Sequence, residues 1–472
     1  MGEETGRGPD GGGGDAGILP RGARRRGMRM STADGVFATI HGNLTGGVIF
    51  TSFLLTLGAQ KYQFAILNAV SAIAQLPQVL SAFWMGRFRS RKALVVSSAL
   101  ASRLVLCLIV LLPYMMPFPA ALKAILGAAF LWGALGSIAS NAWTGWMSDL
   151  VPRRIRGRYF SSRNFALMIA SIVSSLLLSW FLDQFSEGAP QGLLSVLPSL
   201  RGRWFFVSPN KMAAFTLLYM LGAVPAIVSA VLVYRQFEPP RERALEPPRF
   251  LRALREPFGD GLFVRFLVFT CMYNFVNSFA SPYWSPYCLD ELRMPYFSLA
   301  VCGLISTTCG LLTARPWGRL CDRYGNRPVV IIVMLVVVTH PLYYLVAKER
   351  FLLPIYIDFG SSGAMWTGYG IAMGNLLLLF GTARTKEMFF AVYATSSALT
   401  IFVGSLLSGY IVTLIPATHL GPLRLNSVQV IFLFTSILRL VSVFAAARLI
   451  IEAGSRGSSV VVRDVLTRRH RR

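Results

Sequence analysis

At 472 residues, with 54% hydrophobic and only 14% charged side chains, the chain carries too little charge to coat a soluble surface, for which about 25% is usual. Its apolar runs of about twenty residues are long enough to cross ~30 Å of hydrocarbon as helix, and single strands there would leave backbone groups unpaired. The formal charge of +25 would point to nucleic acid in a soluble protein. Here the basic residues lie between apolar runs, as they do in cytoplasmic loops, so no nucleic-acid partner is expected.

In chain order, residues 1–32 carry Gly11–Gly14 and Arg24-Arg25-Arg26 and read as a disordered basic cytoplasmic leader. The run behind them is long enough to span and lacks a small-residue cleavage site, so the leader is expected to stay attached. Spans are expected at 33–58, 64–84, 92–113, 121–147, 163–182 and 211–234. A linker at 235–261, with Pro239-Pro240, Pro247-Pro248 and mixed charge, follows them. Six more spans are expected at 262–284, 295–317, 328–347, 352–380, 388–415 and 427–450, before a basic tail at 451–472. The expected fold is therefore an all-α integral membrane protein of about twelve helices, in an N-terminal half (33–234) and a C-terminal half (262–450).

Arginines crowd every second connection, at 87, 89 and 91, at 153–158, at 235–255, at 315–327, at 384 and at the end of the chain. The alternate connections hold only scattered lysines and arginines, which puts both termini on the cytoplasmic side. The six cysteines form no CxxC pair, so neither a zinc site nor a disulfide framework is expected.

Trp84-Met85-Gly86-Arg87-Phe88 ends the second span, and Pro316-Trp317-Gly318-Arg319-Leu320 ends the eighth, about 232 residues later. Paired six-helix halves of this kind are a transporter architecture. The stretch Gly318-Arg319-Leu320-Cys321-Asp322-Arg323-Tyr324-Gly325-Asn326-Arg327 resembles the cytoplasmic signature loop of the major facilitator superfamily, roughly G-x-L-x-D-R-x-G-R-R/K. A Gly permits close helix approach, the Asp accepts from or pairs with basic neighbours, the second Gly turns the chain and the last basic residue meets headgroups. The resemblance implies a loop that latches the cytoplasmic helix ends in one state of a transport cycle; a basic loop set by topology alone is the alternative. The first-half counterpart, Gly86-Arg87-Phe88-Arg89-Ser90-Arg91-Lys92, is shorter and lacks the acid. Asp149 is its natural substitute, either pairing with Arg89 or Arg91 or standing as a solvated helix-end carboxylate. Arg156-Gly157-Arg158-Tyr159 beside it also resembles bacterial members, which implies a bacterial cytoplasmic (inner) membrane. Two features of the drug/proton antiporters are missing: the fourth span holds no Arg, and the fifth, read as Asn164–Leu182, holds no Gly or Pro.

The resemblance also implies that the first, fourth, seventh and tenth helices line a central cavity. Their polar residues, with those of the second, are the candidates for solute contact, because a polar group in hydrocarbon needs a partner. They are His41 and Asn43, Gln75, Asn141, Asn274 and Asn277, and Trp366 and Tyr369. Asn68, Ser71, Gln75 and Gln78 form a stripe that helix–helix hydrogen bonding explains as well. Asp358, Ser362, Trp366 and Tyr369 recur at helical spacing on one face. Asp358 reads as a proton-coupling or cation-recognising carboxylate, or as an outer-loop residue if its helix starts later. Asp34 is a second coupling candidate, or a helix-start acid favoured by the dipole. Arg103 and Arg439 fall mid-span in the third and twelfth helices. Each is expected to reach inward to a carbonyl, an amide or an acid, with an anionic substrate as the alternative.

No GxxxxGK[ST], HExxH or GxSxG motif is present, so neither an ATP-driven pump nor an intramembrane hydrolase is expected, and no cofactor. The function expected is secondary transport of a small organic solute by alternating access, coupled to protons or another ion, with anionic lipids at the cytoplasmic face. A non-transporting receptor or scaffold on the same fold is the alternative, and within transport, drug or metabolite export stands against proton-coupled uptake.

Overall fold

Apolar runs of this length become helices, and the computed structural model describes them over residues 21–78, 90–185, 211–238, 255–382, 385–416, 418–420 and 423–452. The first crossing is two helices, α1 (Arg21–Thr45) and α2 (Gly47–Thr56). The break comes at Gly46–Gly47, where Gly47 has φ +55°, a left-handed value that favours glycine. Residues 21–32, expected in the disordered leader, instead form the first turns of α1. Other helices hold them there: Gln236 donates to the Gly27 carbonyl at 3.2 Å and Tyr159 to that of Met28 at 3.1 Å.

The N-terminal half continues with α3 (Lys61–Ile73), α4 (Arg91–Ile109), α5 (Phe118–Leu150), α6 (Arg156–Asp183) and α7 (Lys211–Arg235). In the C-terminal half, Asp260 caps α8 (Gly261–Ala280) by accepting from the backbone of Leu262 and Phe263, a common use of Asp at a helix start. Next come α9 (Tyr296–Tyr324), α10 (Asn326–Val337), α11 (His340–Val346) and α12 (Leu353–Leu378). After α13 (Lys386–Leu414), a ribbon pairs β1 (Thr418–Leu420) with β2 (Leu423–Leu425), and α14 (Ser427–Leu449) closes the half. The ninth crossing, expected as one helix, is broken between α10 and α11. Pro341, at the second position of α11, has no N–H to continue the ladder.

Among the described residues nine helical segments are long and apolar enough to cross a membrane. The other three crossings miss that measure for local reasons. The first is basic and broken, the second is described only in part, and α12 is diluted by Asp358, glycines and serines.

Within the N-terminal half α4 packs on α5, and α1 on α6 and α7; in the other half α9 and α10 pack on α12, and α8 on α13 and α14. Across the halves α3 meets α13 and α6 meets α9. The buried side chains form four clusters, two towards the arginine-rich loops and two towards the opposite end. At the opposite end both clusters cross the divide. Tyr296 joins Phe53, Phe215 and Tyr219 of the N-terminal half, and Ala65 joins Tyr283, Tyr344 and Phe432 of the C-terminal half. At the arginine-rich end each cluster stays in one half, around Trp146 and Met147 in one and around Phe263, Val333 and Phe389 in the other.

Candidate functional site

Charge inside hydrocarbon is costly unless paired or hydrogen-bonded, so the buried ions mark where to look. In the C-terminal half, Asp358 lies in the second turn of α12 and is 5% exposed. It is neither an outer-loop residue nor open to a cavity, because its carboxylate faces the ninth crossing. It accepts from the Tyr344 hydroxyl at 3.2 Å and from Ser362 at 3.3 Å, with His340 Nδ1 3.8 Å from Oδ1. His340 is held in turn by Ser361 at 3.1 Å and Ser362 at 3.0 Å. Arg439, 3% exposed, donates from Nε to Asn277 Oδ1 at 3.0 Å and from Nη1 to the Val337 carbonyl at 2.9 Å. That carbonyl is available because α10 stops at Val337. The guanidinium also lies 5.9 Å from the Trp284 ring centre.

The N-terminal half buries a different set. Asp34, 5% exposed, accepts from the Ser229 hydroxyl of α7. Arg103 Nη2 of α4 lies 3.9 Å from Asp34 Oδ1, while its Nη1 donates to the Ala226 carbonyl at 3.4 Å. A second guanidinium, that of Arg163 in α6, reaches α1 at Gly35, the residue after Asp34. It stacks 4.3 Å from the Trp143 ring and donates from Nε to the Ser31 carbonyl at 3.4 Å. Gly35 makes room for it, since a Cβ there would stand 2.5 Å from Arg163 Nη2. His41 turns to α7, with Nδ1 2.9 Å from the Gly222 carbonyl; that oxygen only accepts, so Nδ1 carries the proton.

The amide candidates are mostly engaged between helices. Asn43 joins α1 to α6 through the Ser171 carbonyl at 2.9 Å and Ser174 Oγ at 2.7 Å. Asn141 donates to the Gln78 carbonyl at 3.1 Å, and Asn277 holds Arg439. Asn68 crosses between the halves to Ser281 at 3.1 Å and Ser405 at 2.8 Å. Gln75 lies beyond the end of α3 and is exposed, so the expected stripe does not continue through it. Asn274 is half-buried. Trp366 and Tyr369 pack on Tyr273 of α8, ring centres 6.2 and 5.2 Å apart. Although they share a face with Asp358 in sequence, they meet a different helix from it.

At the arginine-rich end the loops are fastened by acids. Arg91 pairs with Asp149, and Arg156 donates to the Ser148 carbonyl at 2.6 Å. Gly86 and Arg89 lie outside the described residues. In the second loop Gly325 ends α9 with φ +93°, while Gly318 is half-buried and Arg319 and Asp322 are exposed. Arg323 lies 5.0 Å from the Tyr324 ring centre. Arg327 donates to the Ala447 carbonyl.

Two carboxylates that the sequence reading passed over do the capping. Glu452 accepts from the backbone N–H groups of Asn326 and Arg327 at 2.7 and 2.8 Å, and from the Asn326 side chain at 2.7 Å. Glu238 does the same at the start of α4, accepting from the Arg91 backbone and Ser90 Oγ, both at 2.6 Å. Each stands three residues beyond the last helix of its half, Arg235 and Leu449. That repeat was the available signal. Arg163 was not singled out because it stood at the very start of the expected fifth span, whereas α6 begins two turns earlier and sets it inside the helix.

At the opposite end the halves are tied directly. Asp183, ending α6, accepts from the backbone of Tyr296 and Phe297 at the start of α9, at 2.7 and 2.8 Å. Lys61 pairs with Glu291 at 2.8 Å, and Ser52 bonds Tyr296.

A family model described as Major Facilitator Superfamily matches residues 35–380, well over half of the chain. No curated protein matched. Among solved structures, the nucleoside transporter NupG aligns with a TM-score of 0.60 at 13% identity, over 91% of this chain and 99% of that one. The inward-open xylose transporter XylE from E. coli aligns with a TM-score of 0.63 at 14% identity, over 92% and 97%. A bacterial homologue of the human lysosomal transporter Spinster, inward-facing and unoccupied, gives 0.57 at 12% identity, over 92% and 96%. At these identities the likeness is one of fold.

Proposed function

The chain belongs to the major facilitator superfamily and is an integral membrane secondary transporter, and we propose that it carries a small organic solute by alternating access, with ion coupling through Asp358. The observation that supports alternation is the packing asymmetry. Buried clusters bridge the halves at one end and keep to their own half at the other, as expected of two bodies rocking about a midplane site. With the arginine-rich loops on anionic cytoplasmic headgroups and both termini on that side, this arrangement opens inward, in a bacterial inner membrane. A carboxylate set among Tyr344, Ser362 and His340 is a group that a proton gradient can load and unload.

The test of alternation uses the Lys61–Glu291 pair. A carbodiimide amide between them should stop solute flux into proteoliposomes, and Lys61→Gln should be immune to the reagent. Full flux in the cross-linked wild type sinks the rocking reading. For coupling, Asp358→Asn should flatten the pH dependence of flux; an unaltered profile removes Asp358 from that role.

A further inference from the structure

The two buried ionic sets differ in whether their charges are used up. Arg439 has two protein acceptors and an aromatic ring, and Asp358 two hydroxyl donors. In the N-terminal half two guanidiniums reach the stretch of α1 that holds one carboxylate, and that carboxylate is already held by Ser229 and Arg103. Arg163 is left with a single long bond from Nε, and among the described residues neither terminal nitrogen has an acceptor. Its plane is fixed by Trp143 on one side and by the bare backbone at Gly35 on the other. Such a fork, held in orientation and lacking a partner, suits the bidentate geometry of a carboxylate.

Position agrees with charge. Arg163 lies two turns from the arginine-rich end of α6, the helix that packs on α1 in its own half and on α9 in the other. That is the end at which each buried cluster keeps to its own half.

We propose that Arg163 is the recognition group for a carboxylate on the transported solute, and that the solute is a monoanionic organic acid; this rests on the transport reading above. One unbalanced guanidinium is neutralised by one negative charge, so a dianion such as phosphate is a poorer match. Arg103 acts differently, holding Asp34 so that this acid does not collapse onto Arg163.

The test modifies the wild-type protein in detergent with phenylglyoxal, which attacks accessible guanidinium groups, and follows the Arg163 peptide by mass spectrometry. Acetate, lactate and benzoate are the probes, with benzamide and inorganic phosphate as controls. At ten times Kd a recognised acid should slow modification of Arg163 about tenfold and leave the exposed Arg319 unchanged, while benzamide gives no protection. Arg163→Lys should keep binding but weaken it, and Arg163→Gln should abolish it in a protein that stays monodisperse. No protection of Arg163 by any of the three acids, or equal protection by benzamide, overturns the proposal. Protection without flux in proteoliposomes upholds the carboxylate site and sinks the transport reading. Flux of a neutral or cationic solute with no protection does the reverse.

Discussion

Both halves place arginine, aspartate and histidine inside the bilayer, yet they use them in opposite ways. In the C-terminal half Arg439 and Asp358 are satisfied by neighbouring protein groups, several of them supplied by the break between α10 and α11. In the N-terminal half the arginines' bonds to protein acceptors are longer, at 3.4 Å each for Arg103 and Arg163, and Arg163 keeps donors in reserve. A satisfied network rigidifies its helices, whereas an incomplete one is retained where a ligand completes it. The lesson is that burial of a charge says little by itself. For the two arginines, what the remaining donors face decides between scaffold and solute site.

Matched substitutions would break or sharpen this contrast. The largest effect is expected at Gly363, where any Cβ would collide with the Ser306 backbone of α9. Gly363→Val should cost more than about 3 kcal/mol and leave little monodisperse protein on size exclusion. A close approach in the N-terminal half is milder. Gly222→Ala would press a Cβ against the Thr45 methyl at 2.8 Å, and a side chain can give way, so about 1 kcal/mol is expected in thermal melts.

Next comes the arginine pair. Arg439→Leu strands Asn277 and the Val337 carbonyl and should lose about 3–5 kcal/mol, whereas Arg163→Gln should leave the melting temperature within a few degrees and remove solute binding. Equal destabilisation by the two would erase the distinction between the halves.

The capping carboxylates should behave alike, because their geometry repeats. Glu238→Gln and Glu452→Gln should each cost about 1–2 kcal/mol through the loss of charge at a helix start, and the double variant should show the sum. A markedly unequal pair would show that the repeat is one of position only.

The smallest contrast lies in two buried tyrosines. Tyr344→Phe removes the donor to Asp358 and should cost about 1 kcal/mol. The Tyr219 hydroxyl is buried with no partner among the described residues, so Tyr219→Phe should be neutral or slightly stabilising in the same melts.

The fold was legible because hydropathy and arginine placement repeat over hundreds of residues, and the twelve crossings follow from them. The breaks were less so. Gly46-Gly47 and Thr339-His340-Pro341 interrupt apolar runs without changing their average character. The signature loop at Gly318–Arg327 pointed to the family, and Asp149 and Arg91 do meet across the shorter loop. Sequence spacing could not reveal which helix a polar face meets. Asp358 and Trp366 share a stripe yet contact the ninth and seventh crossings respectively. His41 and Asn43 are two residues apart and face α7 and α6. Arg163 stood at the first position of its expected span and so was not singled out, whereas α6 begins two turns earlier and carries it into the helix.

The two capping glutamates have a consequence for how such a molecule is put together. Each half ends in the residue that finishes the start of its own third crossing, so these two caps are completed without a group from the other half. Two polypeptides, cut anywhere within residues 239–254, would each carry its own capping glutamate. What they would have to find in one another is the far side: the α3–α13 and α6–α9 contacts and the Asp183, Lys61 and Ser52 ties. The position of a pair of carboxylates thus makes two separately made pieces candidates for reassembly through that far side alone.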